Sequence, residues 1–321
     1  MLSYIVIYIQ NTYIHLILNI FMQNKLESTK SKFTYDQGYH NNESFLKKSM
    51  AVSALGIQTI RNRMSIAELE KDNKALKTFM TSLKLSIESG QYSKLVTYHS
   101  QFMFDIHSFT SAPHTNQRFL PWHRIYLLKF ENLLNEVMKK ENPGKDYNIA
   151  IPYWNWEQYR EIPRSLKDFM PTIDVEVYDY DDNNKQIGSH VEHLQVEISP
   201  NANLSSSLPN QTMIDQINNK DTFIEFTDRL EKFPHNRVHS LVGGTMNEPE
   251  RSPACPLFWL HHANIDKIWA SWTQSKIKEG KTQFIYPDLS GKEVEMHPWY
   301  PEFVEMQTRN IAELGYTYTN V

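Results

Sequence analysis

HNRVHSLVGGTMNEPERSPACPLFWLHHAN (235–264) places three histidines where a single ion could reach them. His235 and His239 are four apart, so on a helix both imidazoles leave one face about one turn apart. A third ligand is available from the pair His261 and His262, which opens a further helical stretch, HHANIDKIWASWTQ. On its own an HxxxH spacing is common among solvated and core histidines. It gains weight from a second, dissimilar cluster upstream, His99, His107, His114 and His123. Four histidines in each region account for eight of the thirteen in the chain, more than coincidence supplies.

Outward from these clusters the periodicity is mostly helical. Ser65 with Glu68 three residues on is a capping-box signature. Leu69, Leu76, Phe79, Met80 and Leu83 then continue an apolar stripe that Gly90 ends. A second helix is predicted from about Ser93 to Phe109, carrying His99. Residues 110–121 read as a loop holding His114, and His123 begins a long amphipathic helix, HRIYLLKFENLLNEVMKK, closed by Asn142-Pro143-Gly144. His107 would stand about 80° around an ideal helix from His99. The two are therefore not expected to face one ion, and His107 reads as a supporting or core histidine. IPYWNWE (151–157) is aromatic and expected to be buried.

From about Ser165 to Asp221 the pattern loosens. DVEVYDYDDNNK (174–185) predicts an acidic hairpin and residues 200–211 a loop. Helical periodicity returns from Phe223 to Glu231 and continues through the downstream histidines. No internal repeat is visible. The fold expected is mainly α: a four-helix-bundle core around a metal centre, with long loops and a small irregular or β insertion. Bundles commonly build metal sites from side chains on facing helices.

Composition sets the outer bounds. A chain of 321 residues with 40% hydrophobic and 12% aromatic content can bury a substantial core. A net charge of −4 gives no reason to expect nucleic acid as a partner. The single cysteine, Cys255, rules out an intramolecular disulfide; that is compatible with the cytosol and leaves export open. Residues 1–21, MLSYIVIYIQNTYIHLILNIF, are apolar but interrupted by Gln10, Asn11, His15 and Asn19. No Lys or Arg precedes Lys25, so the basic start of a signal peptide is missing. Two readings stand, a membrane anchor or targeting segment and an extension added by an early start codon; a membrane partner is expected only under the first. Residues 1–56 are expected to be a poorly ordered extension, and 57–321 one catalytic domain.

Ligand type narrows the metal. Three neutral imidazoles suit copper, zinc, iron or nickel. Di-iron bundle sites use Glu and Glu-x-x-His ligands, and neither cluster contains that motif. Binuclear hydrolytic zinc sites often carry bridging carboxylates, and none lies within these spacings. Two all-histidine sites point to a dicopper centre that binds dioxygen. The rival is one histidine-rich zinc site beside unrelated core histidines.

The motifs also resemble a known family. HTNQRFLPWHRIYLLKFE (114–131) is similar to the copper A signature of the tyrosinase family, and HNRVH with PLFWLHHANIDKIW to its copper B signature. The likeness extends through IPYWNWE, spans roughly 57–321 and is nearest in pattern to short bacterial-type tyrosinases. It implies that His99, His114 and His123 bind copper A, and that His235, His239 and His262 bind copper B. Spacing alone leaves His261 and His262 open; the resemblance prefers the second. It further implies catalytic roles for Glu231 and Asn236, which resemble the family's glutamate and asparagine that order and activate a water. The rival reading of Glu231 is a solvated helix-end carboxylate beside Lys232. Asp266, four residues past His262, could orient an imidazole or pair with Arg or Lys at the bundle surface. GYTY (315–318) resembles the tyrosine motif that closes the family's catalytic domain. Three residues follow it, so no shielding domain is expected.

Two departures stand out. Ala112 sits where some members carry a cysteine crosslinked to an imidazole, so no thioether can form. Cys255 sits where relatives usually carry aspartate; a small buried thiol is its ordinary reading. The resemblance thus implies two copper ions in a type 3 centre with dioxygen as co-substrate. Small phenols would be hydroxylated and catechols oxidised to o-quinones, with a copper-delivery partner as a further expectation. Catechol oxidase, o-aminophenol oxidase and a haemocyanin-like oxygen carrier are the alternatives.

Overall fold

The capping box at Ser65 is formed: Glu68 N donates to Ser65 Oγ at 3.2 Å and Ser65 N to the Glu68 carboxylate at 3.1 Å. It opens a single turn, not the long helix its stripe predicts. Asp72 starts a new helix three residues later, its Oδ1 accepting from Lys74 N and Ala75 N, both at 3.0 Å. A competing cap of this strength resets the helix start.

The computed structural model describes residues 60–108, 117–319 and 321. The readings of residues 1–56, the anchor included, fall outside these, as do Ala112 and His114. In chain order the elements are β1 (Arg61–Arg63), α1 (Ile66–Leu69), α2 (Asn73–Glu88), α3 (Gln91–Ile106), α4 (Phe119–Glu141), β2 (Thr172–Tyr180) and β3 (Gln186–Gln195). There follow α5 (Leu204–Ser207), α6 (Gln211–Asn218), α7 (Phe223–Leu230), a π-helical turn (Glu231–His235), α8 (Asn236–Val242), α9 (Leu257–Lys278) and β4 (Tyr316–Tyr318). The molecule is mainly helical, as its periodicity predicts. Among the described residues no helix is long and apolar enough to cross a membrane.

The central helix is α4, which packs on α2, α3 and α9. It begins at Phe119, a turn before the predicted start at His123. Pro121 belongs to that first turn, where its missing N–H costs no helical hydrogen bond. Aromatic side chains lock the helices together. Trp259 of α9 stacks on Phe130 of α4 at 4.1 Å, and its indole N–H donates to the Tyr92 hydroxyl of α3 at 2.8 Å. Trp154 and Trp156 of the IPYWNWE segment are fully buried, as expected.

The predicted hairpin at 174–185 is longer than its acidic stretch. β2 and β3 pair antiparallel, with Asp181 Oδ1 accepting from Asn183 N and Lys185 N across the turn. Ile173, Val175 and Val177 of β2 alternate inward, and β2 packs on α3. The acidic residues read as the whole hairpin are one strand and its turn.

Under the bundle lies a buried ionic knot. β1 and β4 pair in parallel, with Arg63 opposite Tyr318. Asp266 of α9 accepts from Arg124 Nε at 2.6 Å, Arg63 Nη1 at 3.2 Å, Tyr316 OH at 2.7 Å and Tyr318 OH at 2.6 Å. Arg63 also donates to Glu131 of α4. Burial alone would raise the Asp266 carboxyl, but Arg124, Arg63 and the two hydroxyls together hold it below its ordinary value. Asp266 therefore orients no imidazole, and its arginine partners lie in the interior rather than at the bundle surface. The knot joins the first and last strands to the two helices that carry His123 and His262.

Candidate metal centre

Each helix delivers its histidine by ordinary means except one. His99 lies within α3 and His123 one turn into α4, both buried. His107 follows the last residue of α3, and its backbone is extended (φ −117°, ψ 152°). That break turns its ring back, and His107 Nε2 stands 3.1 Å from His99 Nε2. The ideal-helix expectation that the two face apart is therefore wrong. Its premise, a helix running to Phe109, fails because the helix ends three residues earlier, at Ile106. No glycine or proline marks the stop, so only the structure reveals it.

Downstream, a π turn sets the geometry. Asn236 N donates to the Glu231 carbonyl, five residues back, and Pro234 within the turn has no N–H to give. From Phe223 to Val242 an unbroken α-helix would drift about 100°. Absorbing one residue in the wide turn cancels that drift, so Phe223, Phe226, Leu230, Val238 and Val242 all stay in the core. His235 and His239 share that inward side, and α9 supplies His261 and His262.

The histidines form two groups, His99–His107–His123 and His235–His239–His261–His262, in each of which one ligand nitrogen per ring lies within 4.8 Å of the others. The groups are neighbours: the His123 and His262 rings stack with centroids 4.3 Å apart and planes at 14°. Phe258 also stacks on His262, at 4.0 Å. His262 Nε2 is 3.3 Å from both His235 Nε2 and His239 Nε2.

Hydrogen bonds to the outer nitrogens assign the tautomers. His123 Nδ1 faces the Phe119 carbonyl at 2.8 Å, His239 Nδ1 the Met246 carbonyl at 2.7 Å and His235 Nδ1 the Asn236 Oδ1 at 2.8 Å. Oxygen acceptors require N–H at Nδ1, which leaves each Nε2 as a lone pair aimed inward. Gly243 and Gly244 make the second of these bonds reachable. Both have positive φ, and a Cβ on either would strike the carbonyl of Ser199 or Glu197. Only glycine there lets the chain turn sharply enough to bring Met246 back over His239.

His261 has the opposite arrangement. Trp156 Nε1 donates to its Nδ1 at 3.2 Å, so its proton sits on the buried Nε2. Burial is the main reason that His99, His123, His235 and His262 lie far below the usual imidazole range, with charge repulsion among the rings adding to it. His239 is pushed down to about 4, again chiefly by burial. These are neutral imidazoles, the form that binds metal. Two nitrogens each about 2.0–2.1 Å from one ion, at angles of about 100–110°, lie about 3.1–3.4 Å apart. The spacings of 3.1 and 3.3 Å match. The residues present fit two ions held by imidazole, and copper is among the metals that ligand set suits.

Glu231 and Asn236 both border the centre. Glu231 is 2% exposed, which rules out the solvated helix end, and Lys232 pairs with Asp228 instead. Glu231 Oε1 accepts from Ser108 N at 2.8 Å and faces His107 Nδ1 at 3.1 Å, while Oε2 is buried with no partner among the described residues. Asn236 is exposed on its own side. Cys255 is wholly buried, which pushes its thiol up to about 12 and makes it unreactive.

The family model for the common central domain of tyrosinase matches residues 89–275. The tyrosinase of Streptomyces glaucescens is 30% identical over 262 residues, covering 74% of this chain and 92% of that protein. Hemocyanin 1 of Megathura crenulata is 27% identical over 73% of this chain and 7% of its own length. Among solved structures, the tyrosinase of Burkholderia thailandensis superposes with a TM-score of 0.58 at 15% identity, covering 81% of this chain and 75% of that one. Its likeness concerns the fold. The sequence matches reach across both histidine groups, and the chain belongs to the tyrosinase family of copper-dependent oxidoreductases.

Proposed function

We propose that the protein hydroxylates monophenols and oxidises o-diphenols to o-quinones with dioxygen. The observation that carries this reading is the pair of adjacent histidine groups whose ring nitrogens converge. The proposed ligands are His99, His114 and His123 for one copper and His235, His239 and His262 for the other; His114 lies outside the described residues. The Nε2 of His262, 3.3 Å from the Nε2 of both His235 and His239, against the protonated Nε2 of His261, supports the choice within that pair. When bound, the two copper ions supply the electron transfer between phenol and dioxygen.

The chain's own groups do the rest. Phe258 and Phe119 pack against the imidazole rings and exclude water from the nitrogens. Glu231 commits Oε1 to Ser108 and His107, and Oε2 has no partner among the described residues, so Oε2 is where a phenolic proton would be received through a water. Asn236 fixes His235 through Oδ1, leaving its amide N–H groups to orient that water. The test is oxygen uptake by copper-loaded protein, first with tyrosine and then with a catechol. Consumption with both is expected. Consumption with catechol alone would make the protein a catechol oxidase or o-aminophenol oxidase. Reversible oxygen binding without consumption would favour a carrier, the second reading that similarity to Megathura hemocyanin keeps open.

A further inference from the structure

We infer that two copies of the chain join edge to edge through β3, antiparallel about a two-fold axis at Val191. The inference is independent of the copper reading. Its first support is an open strand edge. β2 and β3 form a two-stranded sheet, and β2 is the strand that packs on α3. Backbone bonds fix which groups of β3 look outward. Val196 N donates to the Pro171 carbonyl at 2.9 Å, in the register that pairs Thr172 with Gln195. Antiparallel pairs alternate between bonded and non-bonded, so Asp174–His193, Glu176–Val191 and Tyr178–Ser189 are non-bonded pairs. Tyr178 agrees, since its N–H points away from β3 and donates to Ser100 Oγ at 2.8 Å. The N–H and C=O groups of Ser189, Val191 and His193 therefore face away from β2, with no partner among the described residues.

The second support is what this edge lacks. From Gly188 to Gln195 it has no Lys, Arg or Pro, residues that commonly keep strand edges from pairing. Its one carboxylate, Glu192, shares the face of buried Val175 and accepts from Arg251 Nε at 2.6 Å. The register shift falls at Asp179 and Tyr180, toward the turn. Val191 is 73% exposed, more than any other large hydrophobic side chain among the described residues.

The third support selects the occupant. Laid antiparallel on itself with Val191 at the axis, the strand is its own complement. Val191 meets the copy's Val191, Ser189 meets the copy's His193, and each His190 stands opposite a Glu192. The outward groups of Ser189, Val191 and His193 then bond in reciprocal pairs, as a two-fold contact requires. His190 and Glu192 fall in a non-bonded pair, where side chains approach most closely. Moving the axis to Ser189 or His193 would set Glu192 against Gln186 or Leu194, and the charge match is lost.

The experiment measures the mass of the full chain by sedimentation velocity at micromolar concentration. A species of twice the 37.9 kDa chain mass is expected. Val191→Lys sets two like charges at the axis and should give monomer, with near-UV circular dichroism unchanged because the side chain is exposed. His190→Glu opposes like charges in two pairs and should weaken the dimer about tenfold. Val191→Cys should crosslink with a short bismaleimide, whereas Met306→Cys, also exposed, should not; Cys255 is buried and does not compete. A monomeric wild type overturns the inference. Slow amide exchange at Ser189, Val191 and His193 in that monomer would assign the edge to residues 1–59 instead. A dimer that survives Val191→Lys, or that crosslinks at Met306→Cys and not at Val191→Cys, has its interface elsewhere and overturns the inference as well.

Discussion

The two histidine groups reach the same kind of pocket by different routes. The downstream group comes from helical periodicity, with His235 and His239 about one turn apart and His261 and His262 on one further helix. The outer nitrogens of His235 and His239 bind near neighbours in sequence, Asn236 and Met246. The upstream group depends on where a helix stops and on a carboxylate 124 residues away. Local regularity can be read along a chain. A helix end without a stop signal, and a partner supplied by tertiary folding, cannot.

Both groups nevertheless stand on one foundation, and that is where the largest effect is expected. Asp266 ties Arg124, next to His123, to the helix that carries His262. Asp266→Ala strands two buried guanidinium groups and should cost about 3–5 kcal/mol of stability, measured as a fall in denaturation midpoint. Copper should be lost from both groups together. Loss from one group alone would show that each is held by its own helices. The same carboxyl sets an acid limit. Its folded pKa lies below its ordinary value, so its stabilisation is complete above about pH 4 and drains away as pH falls through the folded value. In Asp266→Asn this acid-dependent loss should flatten; an unchanged acid profile would place the titrating group elsewhere.

Most of the architecture was legible for the same reason as the downstream group. Apolar stripes and caps marked the helices, and the acidic stretch 174–185 marked a hairpin, of which it holds most of β2 and the turn. The single turn at Ser65 was not, because Asp72 offers an equally strong cap that periodicity does not weigh. Nor was the burial of Asp266, whose partners come from residue 63 and from residues 316 and 318. The histidine pair was legible as a pair only. Choosing within it requires the indole of Trp156, which lies 105 residues before His261.

A smaller effect should fall on one reaction only. Glu231→Gln keeps the oxygen that holds His107 but cannot take a proton at the other position. Monophenol turnover is expected to drop about 100-fold, the lower end of what a general base supplies, with catechol turnover changed far less. The comparison is made by steady-state oxygen uptake on each substrate. Equal loss on both would mean that Glu231 serves the upstream group purely as a support.

The smallest expected effect probes the one downstream ring that breaks the pattern. His261 receives the Trp156 N–H on Nδ1, so its proton lies on Nε2 and its inward nitrogen has no lone pair to offer an ion. Trp156→Phe removes that donor together with part of a fully buried ring. The cost should be about 2 kcal/mol, one hydrogen bond plus the packing of the lost atoms, and the chain should still hold two coppers. His261→Gln should likewise retain both. A drop to one copper in His261→Gln would mean that the imidazole ligates through the other tautomer.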